Sequence, residues 1–138
     1  LSVDEFEKIK NIIEDEICQK RSCHVVYENE RTKKAVAELE KNNLKEFGKL
    51  LNESHKSLKE LYEVTGIELD TLVEISLKQE GVLGSRMTGA GFGGCTISLV
   101  QEEFIPEFIK NVGNKYKEKI GYDASFYTVQ VGSGTRKL

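Results

Sequence analysis

Gly84-Ser85-Arg86-Met87-Thr88-Gly89-Ala90-Gly91-Phe92-Gly93-Gly94-Cys95 is the stretch on which both the fold and the chemistry turn. Glycines 89, 91, 93 and 94 crowd into six residues. Such density implies left-handed backbone or the close approach of another group, because glycine is otherwise costly in chain entropy. A backbone bare of Cβ atoms can turn successive N–H groups toward an anion and form a phosphate-binding concavity. Thr88 could add a hydroxyl donor and Arg86 a forked cation. The plain alternative is a hairpin whose glycines only permit a tight, twisted connection, and glycine density alone leaves both readings open. The spacing is neither a phosphate loop ending in G-K-S/T nor a dinucleotide fingerprint opening a helix.

On either side of the loop the pattern is that of strands. Val82 to Thr88 precedes it, and Cys95 to Val100 (C-T-I-S-L-V) alternates and is rich in β-branched residues. Downstream, Phe104 to Ile120 has helical spacing through Ile105, Phe108, Ile109, Val112 and Tyr116, with Gly121 as a stop. Ala124 to Val131 is expected as a last strand, with Gly132-Ser133-Gly134 a flexible exit. Upstream the period is helical throughout. Ser2 and Glu5 have capping-box spacing and open a run through Val3, Phe6, Ile9, Ile12, Ile13 and Ile17. A second helix is expected from His24 to about Lys41, interrupted by Asn42-Asn43, and a third from Leu44. Gly66 closes the third or marks a turn just after it, and Ile67 to Lys78 is a fourth.

Helices followed by strand–loop–strand–helix–strand give an α+β fold, helices packed on an antiparallel ferredoxin-like sheet, with one strand of the usual four not evident: it is either hidden among the helical segments or an N-terminal strand lying before Leu1. The 138 residues are expected to form a single domain. A net charge of −3, with basic and acidic residues interspersed, leaves no basic face for nucleic acid. No apolar run is long enough to span a bilayer, so the expected location is cytoplasmic.

Three cysteines, Cys18, Cys23 and Cys95, form no disulfide framework and are expected as reduced thiols. Cys18, Cys23 and His24 fall short of a compact four-ligand zinc set, so no metal site is expected. Cys95, at the start of a strand, is expected to be an inert small apolar residue. His24 and His55 read as core or helix-surface hydrogen-bonding groups, with general-base chemistry at neutral pH as the alternative. Asp70 and the glutamates of the first helix read as solvated faces and caps.

The segment Gly84 to Cys95 resembles the third signature motif of the GHMP small-molecule kinases, and within them the galactokinases. Three further blocks agree in order and separation: H-V-V-Y-E-N-E-R-T (His24 to Thr32), E-S-H-K-S-L-K-E-L-Y-E-V-T (Glu53 to Thr65) and E-L-D-T-L-V-E (Glu68 to Glu74). Met87 and Phe92 favour the galactokinases over the similar N-acetylgalactosamine kinases. Gly66-Ile67 departs from the Cys-Pro more usual there, within a turn.

The resemblance implies the C-terminal domain of an enzyme that uses ATP and Mg2+ to phosphorylate galactose at its anomeric hydroxyl, giving galactose 1-phosphate. It implies that the catalytic aspartate, the serine-rich phosphate loop and the sugar-binding signature belong to an N-terminal domain not in this sequence, so no catalytic residue is expected here and the fragment alone is expected to be inactive. Arg86, Thr88, Gly89, Gly91, Phe92, Gly93 and Gly94 are the expected ATP- and substrate-side residues. Phe92 would meet the other domain, line the sugar side, or merely fill the hairpin. An ordinary ion pair is an equal alternative for Arg86. A free-standing ligand-binding or regulatory module, a dimerisation domain and a related sugar kinase are the other functional readings.

Overall fold

Ser2 and Glu5 form the reciprocal capping box their spacing predicts: Ser2 N–H donates to the Glu5 carboxylate at 2.8 Å, and Glu5 N–H to Ser2 Oγ at 3.2 Å. This starts α1 (Val3–Ile9) of a computed structural model that describes residues 1–130 and 132. Helical periodicity in the sequence continues to Ile17, but the helix does not. Lys10–Ile12 tightens into a 3-10 turn, Ile13 is extended, and Asp15 caps a new helix by accepting from Cys18 N–H at 2.6 Å. An aspartate that can bond the backbone two or three residues on competes with continued helix, and here it wins.

From this cap a single helix, α2, runs over Glu16–Glu40, where a break before His24 was expected. The residues of the supposed gap, Gln19-Lys20-Arg21-Ser22-Cys23, contain no breaker, so propagation carries through them. Asn42-Asn43 does interrupt: Asn42 is left-handed at φ 54°, and Asn43 caps α3 (Leu44–Ser57). A π turn over Leu58–Tyr62 extends α3 to left-handed Glu63, and α4 (Gly66–Ser76) opens at Gly66 with φ 80°.

Strands β1 (Val82–Thr88) and β2 (Cys95–Val100) have the bounds expected from sequence and pair antiparallel, with Thr88 opposite Cys95, Arg86 opposite Ile97 and Ser85 opposite Ser98. The facing serines share a 2.8 Å hydrogen bond. Residues 102–104 make a 3-10 turn into α5 (Ile105–Ile120), which Gly121 ends at φ 96°.

α3 lies along the outer edge of β1 and takes up backbone groups that would otherwise be unpaired. Ser85 N–H donates to Asn52 Oδ1 at 2.8 Å and Met87 N–H to His55 Nδ1 at 3.2 Å. The approach is close because Gly48 meets Gly84. A Cβ on Gly84 would stand 2.6 Å from Gly48 Cα, which no real side chain tolerates.

α4 and α5 cover the sheet, and the core has two parts. Ile75, Phe108, Val112 and Tyr116 gather against Val82 and Val100, while Leu58, Leu69 and Met87 gather against Val64. Each of these side chains contributes about 1.5–3 kcal/mol by leaving water. Among the described residues no helix is long and apolar enough to cross a membrane.

The last expected strand is not formed over residues 124–130. The alternation read from sequence is present: Ala124 and Phe126 pack toward α5, Phe126 edge-on to Phe108 at 6.4 Å, and Tyr127 and Val129 face water. Alternation reports which side is packed, and here no neighbour among the described residues completes a ladder. Val131, Ser133 and Gly134, also part of that expectation, lie outside the described residues.

Candidate functional site

The hairpin connection between β1 and β2 runs left-handed four times, at Gly89 (φ 82°), Gly91 (φ 88°), Phe92 (φ 58°) and Gly93 (φ 92°). The glycines of the motif therefore divide by role. Gly84 is buried and serves helix–strand packing. Gly91 is seated on residue 64: a Cβ there would collide with the Val64 carbonyl group, whose carbon would be 3.0 Å away. Gly89 and Gly93 face open space, with nothing within 4 Å of an added Cβ.

Phe92 N–H donates to Val64 O at 2.8 Å and fixes the loop to the chain just past the π turn. It is the one amide among residues 90–94 with an acceptor among the described residues. The amides of Ala90, Gly91, Gly93 and Gly94 are left for something else, on a loop that is largely exposed. Successive free amides in mixed left- and right-handed backbone make a concavity of partial positive charge.

Phe92 itself is the strained member. A bulky side chain at φ 58° costs of the order of 1–3 kcal/mol, and its ring, 78% exposed, recovers none of this by burial. Thr88 ends β1 in solvent beside the loop. Arg86 is half-buried on the sheet face opposite Met87. Its Nε donates to Met87 O at 2.9 Å, and no carboxylate among the described residues pairs with it, so the ion pair weighed for it from sequence is not made there. The structure thus brings Thr88, Gly89, Gly91, Phe92, Gly93 and Gly94 to one exposed turn, with Arg86 one strand step behind.

Two of the other expectations change, those for Cys95 and Asp70, and that for the histidines stands. Cys95 is exposed at the loop's end and is no core filler; Cys18 is also exposed, and all three thiols are free. Asp70 does not face solvent: its Oδ1 is 3.2 Å from His55 Nε2 and its Oδ2 3.1 Å from Lys59 Nζ. The histidines take the core hydrogen-bonding role. His24 Nδ1 meets Ser57 Oγ at 2.8 Å and its ring stacks on Tyr62 at 4.7 Å, while His55 receives the Met87 amide. Among the described residues no group of His, Cys, Asp and Glu is placed to hold a metal ion.

Sequence reasoning missed the frame around the loop. Nothing in the sequence signals that Val64 offers a carbonyl to it. The β1 edge was more accessible: Gly48, Asn52 and His55 fall at i, i+4 and i+7, one face of α3.

Burial holds both imidazoles below their ordinary value of 6.5, against the pull of Glu28 on His24 and of Asp70 on His55. A pKa depressed in the folded state gives stability that is complete above the unfolded value and is lost as pH falls through the folded one. The thermal midpoint is therefore expected to be flat above pH 6.5 and to decline below it, beyond what carboxylate protonation alone gives. Calorimetry from about pH 7.5 to about pH 5 checks this; equal slopes for the native chain and a His24→Asn, His55→Asn double variant would refute it.

Residues 35–118 match the family described as GHMP kinases C terminal. The chain is 58% identical over its whole length to a galactokinase of Clostridium acetobutylicum and 57% identical to one of Fusobacterium nucleatum, and it spans 36% of the length of each. The crystal structure of Lactococcus lactis galactokinase complexed with galactose superposes on it with a TM-score of 0.93 at 56% identity, covering all of this chain and 36% of that one. The exposed glycine turn between β1 and β2 thus sits in a domain shared with these sugar kinases: the chain belongs to the GHMP kinases, as the family's C-terminal domain.

Proposed function

We propose that the chain is the C-terminal domain of a galactokinase and works with an N-terminal domain to transfer the γ-phosphoryl group of ATP to the anomeric hydroxyl of galactose. The observation that carries this reading is the open turn of residues 89–94, whose unpaired amides suit an anion, in a chain at least 56% identical throughout to galactokinases. Phosphoryl transfer is mainly positioning and charge stabilisation, and a loop of this kind does both without a reacting side chain.

In this reading the amides of Ala90, Gly91, Gly93 and Gly94 lie against the phosphates, and the Arg86 guanidinium and Thr88 hydroxyl support them. The strain at Phe92 is repaid when its ring meets the other domain or the sugar side. Mg2+, when bound with the nucleotide, would supply positive charge that offsets the charge of the phosphates. In this reading its protein ligands, like the catalytic aspartate, are assigned to the N-terminal domain. The cytoplasm is the corresponding location.

A chimera tests the proposal: the part of the Lactococcus lactis galactokinase that this chain matches is replaced by these 138 residues. Galactose phosphorylation with ATP is expected at a rate within about tenfold of the parent. A folded chimera that phosphorylates no hexose would end the reading, and a preference for N-acetylgalactosamine would reassign the substrate.

A further inference from the structure

Three hydrogen bonds tie one continuous piece of chain, residues 52–64, to the strand and loop of the candidate site. Asn52 Oδ1 holds Ser85 N–H at 2.8 Å, His55 Nδ1 holds Met87 N–H at 3.2 Å, and Val64 O holds Phe92 N–H at 2.8 Å. The first and last acceptors are oxygens that accept in every state. The middle one accepts only if the imidazole proton is on the other nitrogen.

The surroundings of His55 place it there. Nε2 lies 3.2 Å from Asp70 Oδ1, a buried oxygen with no hydrogen-bond partner among the described residues. Lys59 Nζ takes the second Asp70 oxygen at 3.1 Å. The charged groups facing the ring are therefore Asp70 of α4, Lys59 of the π turn and Arg86 of β1. A buried carboxylate oxygen facing Nε2 makes the Nε2–H tautomer the favoured one, which leaves the Nδ1 lone pair for Met87.

We propose that His55 is a positioning residue for the glycine loop: Asp70 fixes its tautomer, its Nδ1 fixes β1 at Met87, and so residues 89–94 are held where their amides are presented. Met87 is two residues before Gly89, and its side chain packs with Val64 and Leu58, so a shift at this rung reaches the loop from both of its ends. The consequence for phosphoryl transfer rests on the proposed function; the positional claim does not.

The test is made on the full protein that carries this sequence. The nitrogen chemical shifts of the native His55 ring report its tautomer directly and need no variant; Nε2–H is expected, and Nδ1–H overturns the proposal. His55→Asn places an amide oxygen near the position of Nδ1, whereas His55→Gln reaches Asp70 but leaves Met87 without an acceptor. Hydrogen exchange at the Met87 amide is expected to be about tenfold faster in His55→Gln and close to native in His55→Asn. The KM for ATP is expected to follow the same split, about tenfold up and then restored, with the KM for galactose unchanged. Equal exchange at Met87 in the native protein and His55→Gln, or a His55→Asn variant as impaired as His55→Gln, would overturn it. A protein with no kinase activity but with the Nε2–H tautomer and the expected exchange pattern would count against the kinase reading and for this one.

Discussion

Gly48→Ala is expected to cost about 3 kcal/mol or more and to lower the thermal midpoint by about 10 °C. The direction is opposite to what helix propensity alone dictates. Gly48 lies inside α3, where alanine is favoured over glycine by about 1 kcal/mol. The added methyl, however, would run into the Leu83 carbonyl and come within 3.1 Å of Gly84 N, and these are backbone atoms that cannot swing aside. To relieve the clash α3 must back away from β1, which stretches the Ser85–Asn52 and Met87–His55 bonds together. Gly89→Ala is the control: it meets open space and bears only the cost of a left-handed alanine, about 1–2 kcal/mol. Thermal unfolding of the two variants side by side measures the difference. If Gly48→Ala is as stable as the native chain, the close helix–strand approach is not what holds β1.

The second large effect is expected in activity instead of stability. Gly91→Val puts a β-branched residue at φ 88° and drives its Cβ into the Val64 carbonyl. The loop can escape by swinging outward, which forfeits little beyond the Phe92–Val64 bond, about 1 kcal/mol net. The thermal midpoint is therefore expected to move by only a few degrees, about 3 °C. Phosphoryl transfer by the chimera is expected to fall about 100-fold, because amides displaced by an ångström no longer meet the charge they serve. Steady-state kinetics with ATP and galactose decide it. Activity within a few-fold of native would mean that the seat on Val64 does not set the working position of the loop.

These two glycines also mark how far the sequence could be read. The strands on both sides of the loop were legible to the residue, because alternation and β-branching end abruptly at glycine. The Asn42-Asn43 interruption and the Gly121 stop were equally plain, each being a left-handed residue at a helix end. The start of α2 was not, because Asp15 acts through a local cap that hydrophobic period does not register. Residues 124–130 show the converse failure: their period is right, but a strand needs a partner, and period says nothing of partners. At the site, glycine density pointed to the turn but could not divide the labour among Gly84, Gly91 and Gly89. That division depends on atoms from residues 48 and 64, far away in sequence. Asp70 was misjudged for the same reason, since its partners His55 and Lys59 come from the preceding helical segment.

The sheet, finally, is built to grow in one direction. α3 has already claimed the outward amides of Ser85 and Met87, whereas the far margin of β2 meets no further strand among the described residues. Any extended segment that zips onto this hairpin, from the same polypeptide or from another copy, must dock along residues 95–100. It would then bring its own side chains up beside Ile97 and Cys95, next door to the glycine turn.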